Sequence, residues 1–194
     1  MIWVAFTAGL FMVYALSSWL TKLMAMAGYS LGSALNFVVI YNLGAITGSI
    51  GGWLSSKINI KFVLIASYSL GALALTALPF NSSEKYLYVM VYAVGASTLG
   101  SQLLAYAYAS DFYPSHIRSS GVGFASGVGR VGAIISPVVI GWVVSMSLPF
   151  QQNFMVISFA GVIAAVAICI VKQRNSDSHR TERAGYLQGG QSPD

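Results

Sequence analysis

Arg130 is the only charged residue in the apolar stretch from Ser119 to Ser145, and it stands near the centre of that stretch. A cation at that depth in hydrocarbon is costly. Such residues face a cavity or a partner and mark a path for an ion or substrate. The local sequence is Gly127-Val128-Gly129-Arg130-Val131-Gly132, and three glycines within two turns let another backbone or a ligand come close to the guanidinium. A planar fork of N–H donors suits a carboxylate. The chemistry expected here is recognition of an anion, and this residue argues for transport as well as membrane residence.

The apolar stretches contain no counter-charge. Glu84 falls in a loop and Asp111 at the cytoplasmic end of the fourth stretch. A buried cation without an anion in its own chain needs one from elsewhere, either a missing partner half or an anionic substrate. Other residues are candidates to line the same cavity. Thr7, Phe11, Tyr14 and Ser18 share a face at helical spacing, with Trp19 at its outer end; Asn36, Tyr41 and Asn42 lie on the second stretch; Gln102 and Tyr106 are four residues apart on the fourth. Each also has a structural reading, because amides bridge helices and aromatic residues anchor at the bilayer interface. For each of them the structural reading is favoured, and Gln102 and Tyr41 are the leading candidates for a substrate contact. Asp111 and Arg118 flank the loop Asp111-Phe112-Tyr113-Pro114-Ser115-His116-Ile117-Arg118 and form a candidate cytoplasmic latch, whereas His116 is incidental. No nucleophile with a base, phosphate loop or metal-ligand spacing occurs, so no enzyme, cofactor or metal is expected.

These residues need elements that cross a bilayer, and the composition supplies them. The chain is 56% hydrophobic and 8% charged, with a mean hydropathy of +0.71. Soluble domains carry about 25% charged residues, so the expectation is an all-α integral membrane protein. Six apolar stretches near the roughly 20 residues that span hydrocarbon lie at about 2–21, 31–55, 62–80, 86–110, 119–145 and 153–171. Alternating strands of a β-barrel are missing. From Arg118, Arg130 is twelve residues along a helix, or about 18 Å, near the middle of a core roughly 30 Å thick.

Lys57, Lys61, Arg118, Lys172, Arg174, Arg180 and Arg183 fall on one side, and only Lys22 and Lys85 on the other. The excess places both termini in the cytoplasm, not on nucleic acid, despite a net charge of +5. The lone Cys169 rules out an internal disulfide framework. No cleavable leader precedes Ile2, and the bare start is expected to belong to something longer. Residues 1–172 read as one bundle and 173–194 as a disordered cytoplasmic tail. The spans divide three plus three, with glycines concentrated in the second of each trio (Gly44, Gly48, Gly51, Gly52; Gly121, Gly123, Gly127, Gly129, Gly132). That is the pattern of two inverted three-helix repeats around a site near the midplane.

Gly100-Ser101-Gln102, Tyr106, Ser110 to Pro114, Arg118, Gly121-Val122-Gly123, Gly127 to Ala133 and Ser136-Pro137 resemble helices ten and eleven of major facilitator transporters, most of all the aromatic acid:proton symporters. Tyr14 to Trp19 and Gly44 to Lys57 resemble helices seven and eight. The resemblance implies the C-terminal six-helix half of a twelve-helix carrier working by alternating access, with proton entry driving uptake of an aromatic carboxylate. Its implied partners are the bilayer of a bacterial inner membrane, a small anionic aromatic substrate, a proton, and an N-terminal six-helix half or a second copy. It matches Arg130, Gln102 and Asp111 to the family's helix-eleven arginine, helix-ten glutamine and loop acid. The family's Gly-Trp-Leu-x-Asp-Arg loop reads Gly52-Trp53-Leu54-Ser55-Ser56-Lys57 here, so Ser56 replaces the acid of that latch while Lys57 keeps its cation. Two alternatives stand beside this reading: a facilitator for another organic anion or a sugar, and a truncated membrane fragment that transports nothing.

Overall fold

The computed structural model describes residues 1–50, 59–80, 83–146 and 150–171. It contains helices α1 (Ile2–Met26), α2 (Leu31–Ser49), α3 (Ile60–Ala77), α4 (Glu84–Phe112), α5 (Arg118–Ser145) and α6 (Phe150–Ile170). Among the described residues these are six helices long and apolar enough to cross a membrane. The last five residues of the expected second span, Lys57 and the tail lie outside the described residues.

Local chemistry sets the helix ends. α1 runs five residues past its expected end at residue 21 because Lys22 does not break it. The Lys22 ammonium lies 4.7 Å over the Trp19 ring, an arrangement that lets the stem pack while the charge stays near water. The helix stops at Gly28, whose φ of 94° suits glycine. Ser30 Oγ accepts from the Ser33 amide at 3.3 Å to cap α2, and Asn59 Oδ1 accepts from the Lys61 amide at 3.1 Å to cap α3. Pro79 lies in the short 3-10 turn Leu78–Phe80 that ends α3. Pro114 follows Tyr113, which is extended at the end of α4.

Backbone groups in hydrocarbon must be satisfied within the protein. Pro137 interrupts the ladder of α5 and cannot donate to the Ala133 carbonyl. Ser136 Oγ, one residue earlier, donates to that carbonyl at 3.2 Å. The Pro137 carbonyl accepts from Trp19 Nε1 at 3.1 Å. At the end of α6, Lys61 Nζ donates to the carbonyls of Cys169 at 3.0 Å and Val171 at 2.6 Å, where the helix dipole also favours a cation.

Packing follows a pseudo-two-fold plan. The most extensive pairings are α2 with α4 and α1 with α5, followed by α3 with α6, α3 with α4 and α1 with α6. Exchanging the first trio for the second turns α2–α4 into α5–α1 and α3–α4 into α6–α1, and leaves α3–α6 unchanged. Because three crossings reverse the direction of entry, the repeats are inverted. Glycine sets how closely the pairs approach. A Cβ at Gly44 or Gly48 would run into the backbone carbonyls of Tyr92 or Ala96, and one at Gly95 into that of Tyr41. The α2–α4 seam therefore brings backbone against backbone. α2 and α5 are the helices least covered by the rest of the bundle.

Candidate functional site

Four positions run along one face of α5 at alternating spacings of four and three: Gly123, Gly127, Arg130 and Ile134. All four are exposed, and no atom lies within 4 Å of where a Cβ would stand at Gly123 or Gly127. The opposite face of α5 is closed. A Cβ at Gly132 would strike the Thr7 carbonyl, and one at Gly129 would stand 2.9 Å from Leu10 Cδ1 and 3.1 Å from Phe6 Cβ. The three glycines around Arg130 therefore do two jobs. Gly129 and Gly132 let α1 press against α5, and only Gly127 opens space on the arginine's side. Among the described residues Arg130 makes no hydrogen bond or ion pair, and its face is left uncovered.

One turn toward the N-terminal end of α5, the hydroxyls of Tyr106 and Ser126 are hydrogen-bonded at 2.9 Å. The Tyr106 ring packs edge-on against Phe6, with centroids 5.0 Å apart. This contact joins α1, α4 and α5 directly below Arg130 and makes Tyr106 a wall of the same region. α4 and α5 run antiparallel, so one turn beyond that bond brings Gln102 to the level of Arg130. Its side chain nevertheless turns inward. Gln102 is 6% exposed, and its amide has no hydrogen-bond partner.

The remaining candidates do not gather around Arg130. Tyr41 is 2% exposed and its hydroxyl is hydrogen-bonded to Thr98 Oγ1 at 3.2 Å, which braces α2 against α4 inside the bundle. Asn42 points outward, with Nδ2 donating to the Val38 carbonyl of its own helix at 2.7 Å. Tyr14 is 44% exposed on the outer face of α1. Thr7 and Phe11 line an apolar groove of about 520 Å³ between α1, α5 and α6, and Arg130 is not part of its lining.

The loop between α4 and α5 is anchored rather than free. Trp3 Nε1 donates to the Tyr113 hydroxyl at 3.1 Å, and Gly121 leaves room for the Tyr113 ring, whose Cγ would be 2.6 Å from a Cβ there. Asp111 and Arg118 are both exposed and form no ion pair with each other among the described residues. Each stands at the unfavourable end of its own helix, an acid at a C-terminus and a base at an N-terminus. Neither charge stabilises its own helix.

Sequence reasoning passed over Tyr68 and Gly9. Tyr68 is buried at the middle of α3 with its hydroxyl unpaired, and Gly9 on α1 faces both it and Gln102. The available signal was a tyrosine at mid-span, far from the interfaces where that residue is common.

Comparison with known proteins agrees with this architecture. Residues 2–188 match the model of the Major Facilitator Superfamily. The chain is similar to the benzoate transport protein of Acinetobacter baylyi, at 41% identity over 90% of this chain and 38% of that protein. It is also similar to the gentisate transporter of Corynebacterium glutamicum, at 33% identity over 89% of this chain and 40% of that protein, and to the gallate transporter of Pseudomonas putida, at 31% over 86% and 38%. The chain thus spans about two fifths of the length of these relatives. A matched family model, six membrane-spanning helices in two inverted trios and relatives of this kind together establish that the chain belongs to the Major Facilitator Superfamily.

Proposed function

We propose that this chain is the C-terminal half of a secondary transporter that takes up aromatic carboxylates by alternating access, driven by proton entry. The observation that carries the reading is Arg130, a guanidinium placed near mid-membrane by the sequence, on an open helix face and with no partner among the described residues. An anion must meet it there, and a carboxylate matches its paired donors. The names of the relatives support the class, since benzoate, gentisate and gallate all pair an aromatic ring with a carboxylate. Tyr106, one turn below, offers an aromatic wall for such a ring. Tyr14 and Asn42, exposed on α1 and α2, are further contacts in the assembled carrier. Tyr41 serves as a brace.

One bundle supplies one wall of a central site. The described helices contain no carboxylate at depth, so the proton carrier belongs to the other wall: an N-terminal six-helix half or, less economically, a second copy of this chain. Asp111, Arg118 and Lys57 are proposed to hold the cytoplasmic side closed against that partner and to release it on rocking. Cells expressing the chain alone should not accumulate labelled benzoate, whereas cells co-expressing an N-terminal half should. Accumulation by the chain alone would point to a working homodimer, and none by the pair would remove aromatic acids as the substrate class.

The proposed setting is a bacterial inner membrane with both termini cytoplasmic, following the excess of Lys and Arg on that side. Single cysteines at Ser83 and Ser115, in a chain whose exposed Cys169 is replaced by alanine, check the topology. An impermeant reagent added from outside should label position 83 and spare 115; the reverse pattern would invert the assignment.

A further inference from the structure

We propose that Tyr68 and Gln102 form one buried polar unit across Gly9, and that Tyr68 is the positioning residue that holds the Gln102 amide at the level of Arg130. The importance of that amide for substrate rests on the transport reading above; the pairing itself does not. A Cβ at Gly9 would stand 2.5 Å from the Tyr68 hydroxyl and 2.6 Å from Gln102 Oε1. Both oxygens close on one point, so they lie within about 5 Å of each other, a gap that a single bridging water spans. Tyr68 is 1% and Gln102 6% exposed, and neither side chain has a hydrogen-bond partner among the described residues.

Three helices converge to make this contact. Gly71, three residues after Tyr68 on the same face of α3, meets Ser97 of α4, with 3.1 Å between its would-be Cβ and Ser97 Cβ. Ser97 Oγ is also buried without a partner. Tyr68 of α3 thus lies against the Ser97 to Gln102 segment of α4, and Gly9 of α1 leaves the space between its hydroxyl and the Gln102 amide. Two adjacent polar groups orphaned in an apolar interior are costly, and the shortest remedy is each other. Placement adds meaning to the pair. The Tyr106–Ser126 bond sets the register of α4 against α5, and one turn further along puts Gln102 and Arg130 at the same depth on neighbouring helices. Rotation of the Gln102 side chain therefore decides whether its amide meets Tyr68 or the space beside Arg130. Tyr68, on a helix that contributes nothing to the Arg130 face, sets that choice.

A double-mutant cycle on the full chain in detergent tests the pair without substrate. Tyr68→Phe leaves the amide without its partner and Gln102→Leu leaves the hydroxyl without its own, so each should lower Tm by roughly 2–6 °C. Removing both polar groups together should restore Tm to within about 2 °C of the parent, because two apolar replacements leave nothing orphaned. Additive losses would overturn the pairing. If either single variant fails to accumulate in the membrane, recovery of the double variant counts as the same rescue, and failure of the double variant counts against the pair. In the assembled carrier, Tyr68→Phe should raise the KM for benzoate about 3- to 10-fold at unchanged protein level, as expected when an orienting hydrogen bond is lost. An unchanged KM alongside a coupled cycle would reduce Tyr68 to a structural brace. Rescue in the cycle together with no benzoate accumulation by the parent chain co-expressed with an N-terminal half would instead leave the pair standing and remove the transport reading.

Discussion

Arg130→Ala should abolish binding of carboxylate substrates by the assembled carrier and leave membrane insertion intact. Removing a charge at the midplane makes insertion easier by about 2.5–3.5 kcal/mol on translocon scales, so lost binding would not reflect misinsertion. The fold should also survive, because the arginine makes no hydrogen bond or ion pair among the described residues and its face is open. Arg130→Lys keeps the charge but loses the bidentate fork, and it should bind at least about tenfold more weakly than the parent, the effect of losing one charge-assisted hydrogen bond. Equilibrium binding of a labelled aromatic acid to the three proteins separates the cases. Near-parental affinity in Arg130→Ala, or full rescue by lysine, would mean that the residue only neutralises or braces the interface with the partner half.

The second large effect is structural. Gly95→Ala should destabilise the chain by about 1–3 kcal/mol or more, the range for overpacking a tight interior. The new methyl group would be driven into the Tyr41 backbone carbonyl, and a backbone cannot rotate aside as a side chain can. α2 would be pushed off α4, loosening the Tyr41–Thr98 bond with it. Gly123→Ala is the matched control, since nothing lies within 4 Å of its would-be Cβ. It should leave the isolated chain as stable as the parent or slightly more so, because alanine favours helix by up to about 1 kcal/mol. Thermal unfolding and membrane abundance of both variants provide the check. Equal stability of Gly95→Ala and the parent would mean that the α2–α4 seam is not packed backbone to backbone.

Much of this molecule was legible before its coordinates. Charge depletion and stretches of about 20 apolar residues leave few alternatives to a six-span bundle. Ser30 and Asn59 act as the helix caps that their residue types favour. The place of Arg130, twelve residues into the helix that begins at Arg118, followed from counting along the sequence. Even the three-plus-three division was visible in the placement of glycine, and the helix pairing of the fold obeys it.

Rotation about the helix axes was not legible, and the reason is physical. In a soluble protein the polar face of a helix marks its outside. In a bilayer both the lipid and the interior are apolar, so no stripe of polarity tells which way a residue points. Tyr41 and Asn42, adjacent in sequence, end on opposite sides of α2, one braced against Thr98 and one exposed. Gln102 shares a helical face with Tyr106 yet turns to Tyr68 and Gly9, and the glycines around Arg130 divide between packing and open space. Sequence alone determined that the chain belongs in a membrane, that it has six candidate spans and that a single charge, Arg130, stands near the middle of one of them. Only tertiary packing decided which polar side chains meet, because in this solvent close contact between helices, and not contrast with the surroundings, sets their orientation.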